Sequence, residues 1–156
     1  MNKIIVKTIQ VHIARFNKEL DCFEYLILKR NENERLYPGI WQAVTGTIEE
    51  NENSIRTAQR EVKEETNLNF AEIYAIPFVT SFYDFMYDAI QMAPVFGMIA
   101  EINDEVIISE EHTDFKWANF DECVSLLALP SHKEGTMYFR DFILHSENKK
   151  VFLKKI

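Results

Sequence analysis

Cysteine, glycine and positive charge are all scarce in this sequence, and each shortage excludes something. Cys22 and Cys123 are the only cysteines and form no C-x-x-C pair. They are too few for a disulfide-built secreted scaffold and fit reduced thiols in a cytoplasmic protein. The glycines Gly39, Gly46, Gly97 and Gly135 leave no pair at the spacing of G-x-G-x-x-G or G-x-x-x-x-G-K, so the two commonest glycine-rich phosphate loops are absent. The longest apolar run, residues 93–100, is too short to cross a bilayer. The N-terminus interrupts its apolar residues with Lys3 and Lys7, unlike a signal peptide. Basic residues number 17 against 25 acidic ones, a net charge of −8. That balance argues against a nucleic-acid partner held by phosphate attraction. It leaves phosphate substrates open, because a bound divalent cation reverses the local sign. The lysines of the tail KKVFLKKI read as a solvated or packed C-terminus for the same reason.

What is present is enough for one ordinary domain. The chain has 156 residues, 47% of them hydrophobic, which suits a single unit over residues 1–156. A chain of this size buries about two-thirds of its unfolded surface and needs no disulfide or structural metal. Residues 3–15 and 22–30 read as strands around the polar turn NKELD. NENERLYPG is a loop punctuated by Pro38-Gly39, and WQAVTG a short strand. A helix is predicted over 53–66, strands over 69–80 and 90–102, a last strand at FKWAN, and helices over 120–128 and 136–145. The pattern implies an α/β fold, a mixed sheet flanked by helices.

The helix at 53–66 carries the chemistry. Asn53 or Ser54 can cap its start. At about 100° per residue, Ile55, Ala58 and Val62 form the buried stripe, and Glu61, Glu64 and Glu65 fall in the adjacent arc. Two carboxylates ~5 Å apart repel by roughly 3 kcal/mol at an effective dielectric of 20, whereas an exposed i,i+4 attraction returns only ~0.5 kcal/mol. A cation bound among oxygen ligands resolves the repulsion, and such ligands suit Mg²⁺ or Mn²⁺. The plain alternative is a solvated acidic face balanced by Arg60 and Lys63.

The wider pattern decides between them. Gly46, five residues, Glu52, seven residues, then Arg60-Glu61-Val62-Lys63-Glu64-Glu65-Thr66-Asn67-Leu68 resembles the Nudix box over residues 46–68. That box reads G-x5-E-x7-R-E-U-x-E-E-x-G-U, with U aliphatic. The one departure is Asn67 in place of glycine, at the helix end where a left-handed residue is wanted and asparagine is the next-best choice.

The resemblance implies an α/β/α sandwich around a mixed sheet, and hydrolysis of a phosphoanhydride with Mg²⁺ or Mn²⁺ and water. It makes Glu61, Glu64 and Glu65 candidate metal ligands. Arg60 would orient Glu61 or Glu64, and Glu52 would support the site. Which glutamate takes the proton from water is left open. The flanks WQAVTGTIEENE and Glu111-His112 followed by Phe115-Lys116-Trp117 are similar to the dihydroneopterin triphosphate pyrophosphatase branch. That similarity adds Glu111 as a metal ligand, with Glu110 or Asp114 as stand-ins if the loop register differs. It also places Arg30, Thr45, Lys7 and Ser131 at substrate-contacting positions. Trp41 could stack on a base or pterin ring, or could anchor the sheet. The aromatic segment 82–87 could wall a planar-ligand pocket, or pack in the core or a dimer interface. His112 reads as a structural histidine beside a ligand, and His12, His132 and His145 show no metal-ligand spacing.

The implied activity is pyrophosphohydrolysis of a nucleoside or pterin triphosphate. The alternatives are hydrolysis of dinucleoside polyphosphates or nucleotide sugars, or a non-catalytic nucleotide sensor. Homodimers are common among Nudix proteins.

Overall fold

The computed structural model describes residues 3–156. Its strands are β1 (Lys3–Ile5), β2 (Thr8–Asn17), β3 (Cys22–Arg30), β4 (Trp41–Gln42), β5 (Val44–Thr47), β6 (Glu72–Asp84), β7 (Ala89–Ala100), β8 (His112–Ala118) and β9 (Leu153–Lys155). The helices are α1 (Ser54–Thr66), α2 (Phe120–Leu126) and α3 (Pro130–Phe139), the last widening into a π turn over Arg140–Leu144. The strands share one mixed sheet ordered β4-β3-β2-β7-β6-β9, with β8 against β3, β5 against β2 and β1 against β7. β2 runs parallel to β7 and antiparallel to β3.

Both faces of the sheet are covered. Leu26 and Leu28 of β3 join Val11, Val44, Ala58 and Val62 in a core beneath α1. Tyr25 and Ile27, which alternate with them in sequence, join Cys123, Leu127, Phe139 and Ile143 in a second core beneath α2 and α3. This explains why CFEYLILKR shows no clean apolar–polar alternation, since a strand buried on both faces is apolar throughout. The result is the expected α/β/α sandwich.

The predicted single strand WQAVTG is two strands, because its halves pair with different neighbours. β2 pairs with β3 through Ala14–Asn17, but through Thr8–Val11 its partner is β5. β3 correspondingly pairs with β4 at Leu28 and Lys29. The two strands therefore fork, and the chain crosses the fork at Ala43. Two further differences follow from local chemistry. α3 starts before 136, at Pro130, whose ring presets the first-turn φ and whose missing N–H is harmless there. FKWAN does not contain the last strand: the lysine-rich tail forms a 3₁₀ turn and then β9, which pairs with Glu72–Tyr74.

Candidate active site

α1 is built from its ends inward. Asn53 caps it, its Oδ1 accepting from the N–H groups of Ile55 (3.1 Å) and Arg56 (3.0 Å). Asn67 closes it in the left-handed region, φ 61°, its N–H donating to Lys63 O. Lys63 Nζ donates to Asn67 Oδ1 at 2.7 Å and fixes that side chain. Between the caps, Thr57, Ala58, Val62, Glu65 and Thr66 are buried, so the core that seats the helix also sets the angle of its glutamates.

Arg60 organises the acidic cluster. Its Nε and Nη2 donate to the two carboxylate oxygens of Glu52 at 2.9 and 3.0 Å, a forked pair. Nη1 donates to Glu61 at 2.8 Å and to Glu64 at 3.3 Å, and Nη2 also reaches Thr47 O at 3.0 Å. Glu52 is held further by the Thr57 hydroxyl at 2.9 Å. The Arg60 hydrogen bonds pull the Glu52 carboxyl down to about 2 and push the Arg60 guanidinium up. Gly46 explains how Glu61 comes so close to β5, because a Cβ at that position would overlap the Glu61 carboxylate.

Glu61, Glu65 and Glu111 border one cleft of about 500 Å³, together with Arg30, Thr45 and Ser131. Burial pushes the Glu61 carboxyl up against the pull of Arg60, and pushes Glu65 well up, with Glu61 and Glu111 adding repulsion. Glu65 Oε2 is sealed from solvent without a hydrogen-bond partner, 3.7 Å from His112 Nε2. Among the described residues no three His, Cys, Asp or Glu side chains already converge at the spacing a cation needs. The donor set is nonetheless what Mg²⁺ or Mn²⁺ takes: carboxylate oxygens, one of them orphaned and buried, in a cleft wide enough for water and phosphate as further ligands.

The other sequence candidates divide. Glu111 borders the cleft and its stand-ins do not; Asn31 sets that register, its N–H donating to Glu111 O (2.8 Å) and its Nδ2 to Glu110 O (3.2 Å). Arg30 lines the cleft while bracing the following loop, through Leu36 O (2.9 Å) and Glu34 (3.1 Å). Glu52 and Glu64 lie outside the lining, Glu64 with an exposed side chain on the rim. Trp41 also lies outside it; it packs against the second core and its carbonyl accepts from Ala128 N–H, the anchoring alternative. Lys7 is exposed, its ammonium 4.7 Å from the Tyr87 ring centre. The aromatic segment is not core. Phe82 touches the cleft, and Phe85, Met86 and Tyr87 protrude at the β6–β7 turn. His112 is buried, and that burial lowers its pKa to about 4.

The sequence reading missed the neutral part of the cleft lining. Gln10, Gln42 and His132, all buried, line it at the fork between β2 and β3. Ala43 N–H, stranded at the crossing, donates to His132 Nδ1 at 3.1 Å. Gly135 lets α3 approach, since a Cβ there would overlap His12 and Gln10. The available signal was a glutamine and a histidine inside the apolar strand β2.

A family profile described as NUDIX domain matches residues 7–139. The chain is 30% identical over 126 residues to the dihydroneopterin triphosphate diphosphatase of Haemophilus influenzae, covering 74% of this chain and 77% of that one. The E. coli dihydroneopterin triphosphate pyrophosphohydrolase superposes with a TM-score of 0.69 at 23% identity, over 89% of this chain and 97% of that one. A C. elegans Ap4A hydrolase binary complex gives a TM-score of 0.73 at 19% identity, over 88% and 97% respectively. At these identities the two structures show a shared fold.

Proposed function

The chain belongs to the Nudix family of hydrolases, and from that premise we propose that it is a divalent-metal-dependent pyrophosphohydrolase. It cleaves a nucleoside or pterin triphosphate to pyrophosphate and a monophosphate. The observation that carries this is the mixed lining of the cleft. Glu61 and Glu65, both raised in pKa by burial, border it with Glu49 and Glu111, and the buried neutral groups Gln10, Gln42 and His132 border the same cleft. The carboxylates suit a metal-bridged phosphate chain, the neutral groups an uncharged ring. The diphosphatase from Haemophilus influenzae supports the substrate class by its sequence identity.

Glu61, Glu65 and Glu111 would hold the cation, with Glu64 joining from the rim. When bound, Mg²⁺ or Mn²⁺ neutralises phosphate charge and lowers the pKa of the attacking water. The protein's own groups do the rest. Arg60 fixes the Glu61 carboxylate through Nη1, and Glu52 locks Arg60 through its forked pair. The water oxygen forms a bond to phosphorus, the bridging P–O bond breaks toward pyrophosphate, and a cleft carboxylate takes the water's proton. Thr45, Arg30 and Ser131 contact the substrate from the cleft walls.

The test is incubation with Mg²⁺ and a panel of dihydroneopterin triphosphate, the common nucleoside triphosphates, diadenosine tetraphosphate and ADP-ribose, with products identified by mass. Pyrophosphate plus a monophosphate from a triphosphate is the expected result. Cleavage only of the dinucleotide or the sugar compound would retain the mechanism and overturn the substrate class. Tight binding without turnover would make the protein a sensor.

A further inference from the structure

The polar groups at the fork have their hydrogens assigned by geometry. Gln10 Nε2 lies 3.1 Å from Ser131 O, which only accepts, so the nitrogen and not the oxygen must face it. The same Nε2 lies 2.6 Å from His12 Nε2, so its second hydrogen goes there and His12 carries its proton on Nδ1. That Nδ1 faces the Thr136 hydroxyl oxygen at 3.3 Å, and the Thr136 hydroxyl donates onward to His132 O at 2.9 Å. Both Gln10 hydrogens are thereby used and its Oε1 is left without a partner among the described residues. His132 receives Ala43 N–H on Nδ1, so its own proton sits on Nε2, also without a partner there. Burial keeps His12 and His132 neutral, lowering them to about 3 and about 4.

These two unpaired atoms differ from the sealed orphans among the described residues, which are Glu65 Oε2, Gln91 Oε1, Ser109 Oγ and His112 Nδ1. Gln10 and His132 both border the cleft. An acceptor and a donor left without protein partners on the cleft wall, each in a 2% exposed residue, are free to pair with a ligand that enters it.

We propose that Gln10 and His132 select the ring of the substrate as an acceptor–donor pair. Gln10 Oε1 accepts from a ring or exocyclic N–H, and His132 Nε2–H donates to the adjacent carbonyl or ring nitrogen. The ligand chemistry is a planar nitrogen heterocycle with a donor beside an acceptor on one edge. A lactam edge, as in a pterin or guanine, and an amino-imine edge, as in adenine, both supply it. This inference rests on the reading of the cleft as a triphosphate site.

The test measures dissociation constants by calorimetry with Ca²⁺ present, and turnover with Mg²⁺ in parallel. Three pairs are compared: dihydroneopterin triphosphate with its N3-methyl derivative, GTP with 1-methyl-GTP, and ATP with purine riboside triphosphate. Each second member lacks the N–H while keeping the triphosphate. At least one parent should bind about tenfold tighter than its partner, the scale of one well-made neutral hydrogen bond, and the pair that does so identifies the edge. Gln10→Met should weaken that parent to the level of its partner. His132→Asn keeps an acceptor for Ala43 N–H, removes the Nε2–H donor and should weaken the parent by about tenfold. Equal binding within every pair, or native ratios in both variants, would overturn the proposal. Melting curves verify folding, and if Gln10→Met does not fold, the native ratios and His132→Asn decide. Turnover without discrimination overturns the ring selection alone, and discrimination without turnover overturns the proposed reaction alone.

Discussion

Glu65 ties stability to both protons and cations, and the two can be separated. Its Oε2 is sealed and unpartnered, and burial with repulsion from Glu61 and Glu111 raises its pKa well above the ordinary carboxylate range. A carboxyl raised on folding stabilises the native state fully below its unfolded pKa of ~4.3 and loses that contribution as pH climbs through the folded value. The cation-free protein should therefore lose stability from this group toward alkaline pH. Mg²⁺ binding requires the ionised form, so the cation displaces the proton and restores the loss. At 100 times its Kd, a ligand that binds only the native state adds about 2.7 kcal/mol. For a chain of this length that raises Tm by roughly 5–11 °C. The assay is thermal unfolding at pH 5.5 and pH 8, with EDTA or Mg²⁺, for the native protein and Glu65→Gln. His12, His112 and His132, lowered on folding, act in the opposite direction, losing stability as pH falls below ~6.5. They are common to both proteins, so the difference between the two reports Glu65 together with its contact to His112. The native Mg²⁺ shift should be larger at pH 8 than at pH 5.5, and strongly reduced in Glu65→Gln. Equal Mg²⁺ shifts in both proteins, or the same native shift at both pH values, would refute the reasoning.

Arg60→Lys keeps the charge but loses the fork to Glu52, so the urea midpoint should fall modestly, as for a solvent-screened pair. The substitution should also cost ~10–100-fold in Mg²⁺ affinity through the freed Glu61, read by titrating turnover with Mg²⁺. Glu64→Gln should lower turnover at limiting Mg²⁺ at least ~10-fold if the rim carboxylate joins the cation. Full activity there would remove Glu64 from the ligand set. Glu111→Gln should raise the Mg²⁺ concentration needed for half-maximal turnover by ~10-fold or more, and an unchanged requirement would assign that contribution to water. Asn67→Ala places a Cβ-bearing residue without a local hydrogen bond in the left-handed region, so Tm should fall by roughly 2–4 °C for the ~1 kcal/mol involved, with kcat within twofold. A kcat collapse would show that the helix end governs the carboxylates directly.

The carboxylates of α1 were legible because they lie on one helix, where a fixed rotation per residue turns sequence spacing into geometry. Arg60, Glu61, Glu64 and Glu65 are placed by that rotation, and Asn53 and Asn67 mark its ends as expected. The fork was not legible, because it depends on which strands part. Nothing local in WQAVTG says that Trp41 follows β3 while Val44 follows β2. For the same reason the pairing of Gln10 with His132 was not legible, since a glutamine in an apolar strand is a signal without a direction and the histidine that meets it lies on α3. The aromatics of 82–87 suggested burial by composition, yet the hairpin carries most of them past the edge of the core. Lys7 illustrates the limit of matching positions by order along the chain, which does not determine whether a side chain turns toward the cleft; for Trp41 both stacking and anchoring fitted the sequence, and its packing against the second core is the anchoring one.

The parallel pairing of β2 with β7 also has a temporal side. Gln10 meets Ser131 across 121 positions of sequence, and at about 5–20 residues per second a ribosome needs on the order of ten seconds to make that stretch. Until Ala89–Ala100 are made the first-made half of the sheet waits for its central neighbour, while β2 and β5, on which α1 packs, are already in place. The nascent chain would thus carry its acidic helix beside a cleft wall that still lacks Ser131 and His132. Ring selection would wait for α3, which brings His132 to Gln10.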